Sequence, residues 1–229
     1  MSPSDKPKTL RPRDAATLVL VRRRRGGAEV LLGQRHGGHA FMPNRYVFPG
    51  GRVDPYDSRV TPATPLRADV AVRLARHCSP ARARALAIAA VRETFEETGL
   101  MLARPAPDGK TVAGREPWDA FHARGLAPAL DALDYIFHAI TPPGRPRRFN
   151  ARFFMADAET LSGDIAGSGE LGDIKWLAIR DALELHIPDI TRHVLVEAER
   201  LLKSPPAPDP DRPVPFYRTL NGRHHYGHD

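Results

Sequence analysis

Three glutamates close together, Glu93, Glu96 and Glu97, have the types and spacing that divalent-cation chemistry needs. On a helix turning about 100° per residue, Glu96 falls near −60° and Glu97 near +40° from Glu93, so one face carries all three carboxylates. Ile88, Val91 and Phe95 gather at roughly 160–220°, as a stripe facing the core. This arrangement violates two local preferences. Like charges at i,i+3 and i,i+4 cost roughly 0.2–0.5 kcal/mol per pair. Acids in a last helical turn oppose the negative end of the helix dipole by about 0.3–1 kcal/mol each. Arg92, four residues before Glu96, offsets part of this. A hard cation such as Mg²⁺ or Mn²⁺, which prefers carboxylate oxygens, relieves both penalties. A solvated charged face is the plainer alternative, but a chain that breaks local rules at one place tends to do so for function.

The elements that must position these acids are legible around them. Ser79-Pro80 supplies an N-cap and a first-turn proline, the helix is expected over Ala81–Thr98, and Gly99 stops it. Asp14–Arg22 and Ala28–Gln34 read as a hairpin closed by Arg24-Arg25-Gly26-Gly27. A short strand at Arg45–Phe48 runs into a sharp turn at Pro49-Gly50-Gly51. Residues 52–78 are punctuated by prolines and end in a helical patch, Leu66–His77, whose Leu66, Val70, Val72 and Leu74 give it an apolar side. Downstream we expect a short helix near Trp118–Arg124, strands at Leu133–Ile140, Arg152–Ala156 and Ile174–Ile179, and helical segments at 180–185 and 189–203. Hairpin and crossover strands with interspersed helices imply an α/β fold, an α/β/α layered domain on a mixed sheet. Residues 1–13 read as a polar, disordered leader. Residues 205–229 read as a proline-rich and then basic, His-rich tail.

Composition narrows the function classes. With 229 residues the chain can bury one sizeable core. Its net charge of +7 suits an anionic ligand. The arginine-rich runs, at Arg22–Arg25, Arg67–Arg84 and Arg145–Arg148, lack interleaved aromatics, which argues against a nucleic-acid platform. The single cysteine, Cys78, excludes a disulfide framework and a Cys-based zinc site, and fits a reducing, cytoplasmic setting. It has no matched base and is not expected to act as a nucleophile. No secretory signal opens the chain, and no apolar stretch approaches the roughly 20 residues that span a bilayer. His36, His39 and the tail histidines read as solvent-facing, and Trp176 as a packing residue. Homo-oligomerisation stays open.

The run Arg92-Glu93-Thr94-Phe95-Glu96-Glu97-Thr98-Gly99-Leu100 resembles the second half of the Nudix box, and Gly51 with Asp57 resembles its first half. Two departures stand out. Asp57 occupies a position where the family has glutamate, and is not counted here as a ligand. The 34 residues of Ser58–Val91 replace the family's seven, an insertion of 27 that includes residues 58–78. A split box of this kind is similar to the peroxisomal-type coenzyme A and acyl-coenzyme A diphosphatases and their bacterial relatives. The likeness runs from about Asp14 to Leu202 and includes the Arg-Arg-Phe-Asn-Ala-Arg-Phe-Phe segment.

That resemblance implies a Nudix-type sandwich at 14–204 and a Mg²⁺-dependent hydrolase, with Mn²⁺ as the alternative ion, cutting a diphosphate linkage in a small nucleotide. It implies Glu93 and Glu97 as principal metal ligands, Glu96 completing or bridging a second metal, and the Gly51 carbonyl as a further ligand. Arg92 would orient the carboxylates, with direct contact to substrate phosphate as the lesser reading. Glu170 fits the general base; Asp173 is the alternative, and Glu96 or Glu97 is equally admissible. Arg35 can grip a phosphate bidentately, with Phe48, Gly50 and Gly51 completing the substrate-binding set. The pattern of the coenzyme A branch keeps Leu31, Leu32, Arg35 and Phe48, whereas His36, Ala40 and Asn44 replace a small residue, a second Arg and a Gly. Coenzyme A or an acyl derivative is therefore the first expectation, and ADP-ribose or a dinucleotide the next. RNA 5′-diphosphate removal and a non-catalytic binding module remain behind these. The insertion is expected as an ordered cap beside the substrate cleft.

Overall fold

The computed structural model describes residues 10–38, 43–107, 116–167, 169–220 and 223–228. The expectations for residues 1–9 of the leader, for His39 and for Ala40 lie outside them.

The first two strands, β1 (Arg13–Arg24) and β2 (Gly27–Arg35), form the expected antiparallel hairpin, with Arg24 opposite Gly27. Their nearly continuous apolar runs follow from burial on both faces. Ala16, Leu18, Leu20 and Leu31 face one core, while Val19, Val21, Val30 and Leu32 face the other. Two short strands attach to this hairpin: β3 (Tyr46–Val47) pairs with β2, and β4 (Gly50–Arg52) pairs with β1. The Gly50-Gly51 segment, expected as a bare turn, is thus tied into the sheet, with Gly50 opposite Thr17 and Gly51 opposite Ala16.

Two helices follow, α1 (Ala68–Ala75) and α2 (Pro80–Thr98). Ser79 caps α2 by accepting from the Arg82 amide, and Gly99 ends it at φ +77°, a left-handed conformation glycine adopts without strain. The first half of α2 is alanine-rich, and Ala83, Ala85, Ala87, Ala89 and Ala90 are buried with Leu86, Ile88 and Val91. Small side chains let this helix lie close against the sheet on one side and the insertion on the other, so it is buried nearly all round.

After β5 (Met101–Pro105), α3 (Trp118–His122) and β6 (Leu126–Pro128), the chain returns to the main sheet with β7 (Asp134–Ile140) and β8 (Phe149–Asp157). Strand β8 runs parallel to β1 from Arg13↔Phe149 to Val21↔Asp157. The two-residue β9 (Leu161–Ser162) completes a small sheet with β5 and β6, and β10 (Leu171–Ala178) closes the far edge of the main sheet against β2. Helices α4 (Ile179–Glu184) and α5 (Asp189–Lys203) cover the face opposite α2, through Ile179, Ala182, Val194, Leu195, Ala198 and Leu201. This is the α/β/α layering expected from the sequence. Among the described residues no helix is long and apolar enough to cross a membrane.

Two regions differ from expectation. The residues after 204 were read as a tail, yet β11 (Pro215–Leu220) and β12 (Arg223–His228) form a hairpin that extends the sheet, with β11 parallel to β7. The main sheet therefore runs β10-β2-β1-β8-β7-β11-β12, with β3 and β4 at its side. The insertion is ordered but is not a cap on the cleft described below. Val60, Val70 and Leu74 enter the α2-side core, and the 1% exposed Arg73 donates to the Tyr135 carbonyl (2.6 Å) and to Asp134 (2.8 Å) on β7. Apolar residues on one side of α1 and a charged anchor hold the insertion down on the body of the domain, behind α2.

Candidate active site

The last two turns of α2 meet the strand pair β1–β4. The Gly50 amide donates to Glu97 Oε2 at 2.8 Å, which fastens the carboxylate beneath the Gly50-Gly51 backbone. Glu93 approaches from one turn earlier. A Cβ built on Gly51 would stand 2.5 Å from the Glu93 carboxylate carbon, so the absence of a side chain there is what admits this acid. At Gly50 the obstruction is main chain: a Cβ would lie 2.7 Å from the Ala16 carbonyl oxygen and 2.7 Å from the Thr17 Cα.

That contrast yields two separable outcomes. A flexible carboxylate can yield to a methyl group, whereas two paired strands cannot. Gly51→Ala is expected to keep the melting temperature within about 2 °C and to cut turnover at least about tenfold. Gly50→Ala is expected to lower stability by about 1–3 kcal/mol. Thermal melts and steady-state rates on the two variants check this, and equal stability losses would refute the distinction.

Arg92 is the organising cation. Its Nε and Nη2 donate to the two oxygens of Asp57 (2.9 and 3.1 Å), its Nη1 to Glu93 and Glu96 (2.8 Å each), and its Nη2 also to the Arg52 carbonyl (2.8 Å). Burial works against this guanidinium, but Asp57 and the glutamates outweigh it and hold its pKa above the ordinary value. Asp57 is fully buried and also accepts from the Asp54 amide at 2.7 Å, closing a capping box on a 3-10 turn, Pro55–Arg59. The sequence reading set Asp57 aside as a ligand and gave it no other part; it holds Arg92. The signal available was Asp54-Pro55-Tyr56-Asp57, which has the spacing of a capping box.

The carboxylates are poised by their surroundings. Burial pushes Glu97 up to about 8, against the Gly50 hydrogen bond. Burial pushes Glu93 up to about 7, with Arg92 opposing. Burial also raises Glu96, again with Arg92 opposing, and Glu170 adds to the rise at all three acids. Among the described residues no three His, Cys, Asp or Glu side chains converge as a ready-made metal cage. Mg²⁺ does not require one, since it keeps several waters and takes one or two carboxylates. Two acids that resist ionisation, one buried and one half-buried, are a donor set that gains from a nearby cation.

These groups open onto a cleft of about 1670 Å³ whose lining includes Arg35, Gly50, Gly51, Glu93, Glu96, Glu97 and Glu170. Arg35 lowers the Glu97 pKa by its charge, and its buried Nε has no hydrogen-bond partner. Exposed Glu170 stands on the rim. Asp173, the alternative base, is engaged by the Tyr46 hydroxyl and by Lys175 Nζ (2.6 Å) and does not line the cleft. Phe48, expected among the substrate-binding residues, is corrected: its ring is 3% exposed in the α5-side core. Its strand neighbours fix its direction, and an apolar ring fills that core. Cys78 is half-buried and donates to the Leu74 carbonyl at 3.4 Å, and burial raises its pKa, as befits an inert thiol.

No family model matches the chain. It is 35% identical to the acyl-coenzyme A diphosphatase NUDT19 of Gallus gallus, over 68% of this chain and 55% of that protein. It is 25% identical to nudix hydrolase 7 of Caenorhabditis elegans, over 75% of this chain and 53% of that protein. The chain thus spans about half the length of these curated relatives. A crystal structure of a Nudix hydrolase from Alicyclobacillus acidocaldarius superposes with a TM-score of 0.65 at 29% identity, covering 85% of this chain and 96% of that one.

Proposed function

We propose that this chain, which belongs to the Nudix hydrolase superfamily, hydrolyses a diphosphate linkage in a nucleotide-type substrate, with coenzyme A or an acyl-coenzyme A as the first candidate. The observation that carries the proposal is the pair of acids, half-buried Glu93 and buried Glu97, set against the Gly50-Gly51 backbone in the lining of a cleft. The name of the Gallus gallus relative supports the choice of substrate.

In this reading Glu93 and Glu97 hold the divalent cation, with Glu96 and the Gly51 carbonyl completing its shell. A cation there supplies charge neutralisation for the diphosphate and acidifies the attacking water. The chain's own groups do the rest. Arg35 binds a phosphate oxygen through the guanidinium edge that has no protein partner. Glu170 takes the proton of the water from the cleft rim. Gly50 holds Glu97 in place, and Asp57 holds Arg92 so that Arg92 can orient Glu93 and Glu96. No covalent enzyme intermediate is needed.

The test is a purified-protein assay against coenzyme A, acyl-coenzyme A, ADP-ribose, NADH, nucleoside triphosphates and 5′-triphosphorylated RNA. EDTA is expected to abolish turnover, and Mg²⁺ or Mn²⁺ to restore it. Activity that survives EDTA would remove the cation from the reading. A preference of about tenfold or more in kcat/KM for ADP-ribose or NADH over coenzyme A would overturn the substrate choice and leave the chemistry standing.

A further inference from the structure

Asp173 does not line the cleft, yet its backbone departs from the strand around it. At φ +42° it is left-handed, a conformation that L side chains disfavour. It stands in a bulge of β10. Gly172 pairs with Gln34 and Lys175 with Leu32, so three steps along β10 match two along β2. The extra residue redirects side chains. Leu171 pairs with Arg35 and Trp176 with Leu31, so both lie on one face of the sheet although they are five residues apart. That face carries Leu31 and looks toward α2. Leu171 is buried there, and a Cβ on Gly33 would stand 2.9 Å from its Cβ. Glu170, one residue earlier, reaches the cleft.

The bulge is held by side chains from the α5 side, where Tyr46 packs and where Lys175 pairs with Leu32. The Tyr46 hydroxyl and Lys175 Nζ (2.6 Å) both donate to Asp173 Oδ2, and Nζ also donates to the Tyr46 hydroxyl at 3.1 Å. Tyr46 pairs with Gln34 from one side and Gly172 pairs with it from the other. Two strand spacings, roughly 10 Å, separate them, and a phenol crosses that gap. The bonds from Lys175 and then Tyr46 hold the Asp173 carboxyl below its ordinary pKa, which suits an acceptor rather than a base. Upstream of Glu170, the Ala166 amide donates to the Thr98 carbonyl at 2.8 Å. A Cβ on Gly99 would stand 2.9 Å from the Asp164 carbonyl oxygen, so the end of α2 is shaped to receive this backbone. Glu170 is thus carried between an anchor on α2 and an anchor at the bulge. Exposed ion pairs such as Lys175–Asp173 add little stability, but this one acts on position. Loss of the bulge would shift Glu170 by one residue, roughly 3.3 Å along the strand, and misplacement of even about 1 Å slows a reaction severely.

We propose that Tyr46, Asp173 and Lys175 form a clamp that locks the β10 bulge and so sets where Glu170 meets the attacking water. Tyr46 and Asp173 are positioning residues: they act through the backbone, from the face of the sheet opposite α2. The proposal rests on the reading above of Glu170 as the group that takes the proton of the water.

The experiment measures kcat and KM for coenzyme A and for ADP-ribose, at saturating Mg²⁺, in Asp173→Gly, Tyr46→Phe, Glu170→Gln and the Glu170→Gln/Asp173→Gly double variant. Glycine tolerates the left-handed backbone and removes only the carboxylate. Asp173→Gly is expected to lower kcat about tenfold, with KM within about twofold and the melting temperature within about 2 °C. Tyr46→Phe is expected to lower kcat about threefold with the same split. Glu170→Gln is expected to lower kcat about 100-fold, and adding Asp173→Gly to it to lower kcat no further, because no carboxylate remains to be placed. Wild-type kcat in Asp173→Gly or Tyr46→Phe, or losses that multiply in the double variant, overturns the proposal. If the wild type cuts neither compound, or Glu170→Gln keeps wild-type kcat, the reading of Glu170 fails on its own, and amide hydrogen exchange decides the clamp. Exchange at Leu171 and Gly172 that speeds about tenfold in Asp173→Gly, with the β1–β2 hairpin unchanged, supports the clamp. Unchanged exchange at both amides overturns it.

Discussion

Replacing Glu97 by glutamine is expected to lower kcat by more than about 100-fold while leaving the fold intact. The substitution keeps shape and volume, and the Gly50 amide still finds a carbonyl oxygen at the same place. What disappears is the negative charge. Because burial raises the Glu97 pKa to about 8, ionising this group costs the folded state free energy at every pH above its unfolded value. A neutral amide removes that cost, so the melting temperature is expected to stay level or rise. The combined signature is lost turnover with retained or increased stability, and it separates a functional carboxylate from a packing residue. Assays at saturating Mg²⁺ beside thermal melts provide the check. Near-wild-type turnover would end the assignment of Glu97 to the site.

Asp134→Ala is expected to remove about 3 kcal/mol of stability. Asp134 Oδ1 accepts from Arg73 and Arg212 at 2.8 Å each and from Arg67 at 3.4 Å, so it joins the insertion, β7 and the segment before β11. Its removal leaves Arg73, 1% exposed, as a buried cation with Asp69 (3.1 Å) as its remaining acid. Breaking one side of a buried pair costs far more than the pair's net worth, because the other charge stays desolvated. A second acid nearby keeps the loss at the lower end of the usual range. Urea unfolding at unchanged slope measures it. A shift worth under about 1 kcal/mol would mean that water reaches Arg73 and that the anchor is weak.

The acidic helix was legible because its determinants are local. Ser79, Pro80 and Gly99 fix its ends, and a 3.6-residue repeat puts Glu93, Glu96 and Glu97 on one face and Ile88 and Val91 on another. The β1–β2 hairpin was legible for the same reason. Three features were not. Phe48 stands beside the Pro-Gly-Gly segment in sequence, but which core its ring enters depends on neighbouring strands far along the chain. Asp57 shows its part only when the 34 intervening residues fold so that it meets Arg92. The β11–β12 hairpin carries little apolar alternation. Its support is non-local, from the stacking of Phe216 on His138 (4.3 Å), the packing of Tyr217 and Tyr226 on His193, and the parallel pairing with β7.

The late arrival of β11 bears on how the chain is made. Strand β7 is complete at residue 140, but the strand that covers its outer edge begins at residue 215, and Arg212 must be present before Asp134 gains its last cation. On a ribosome, β7 therefore waits with an open row of amide and carbonyl groups while the intervening residues are synthesised. Open strand edges are templates for pairing with other chains, and long-range strand pairing is slow to form. The nascent polypeptide thus passes through a stage in which its central sheet is built but unguarded on one side. A version ending at residue 204 would remain at that stage, prone to self-association, although every element of the acidic cleft had already been translated.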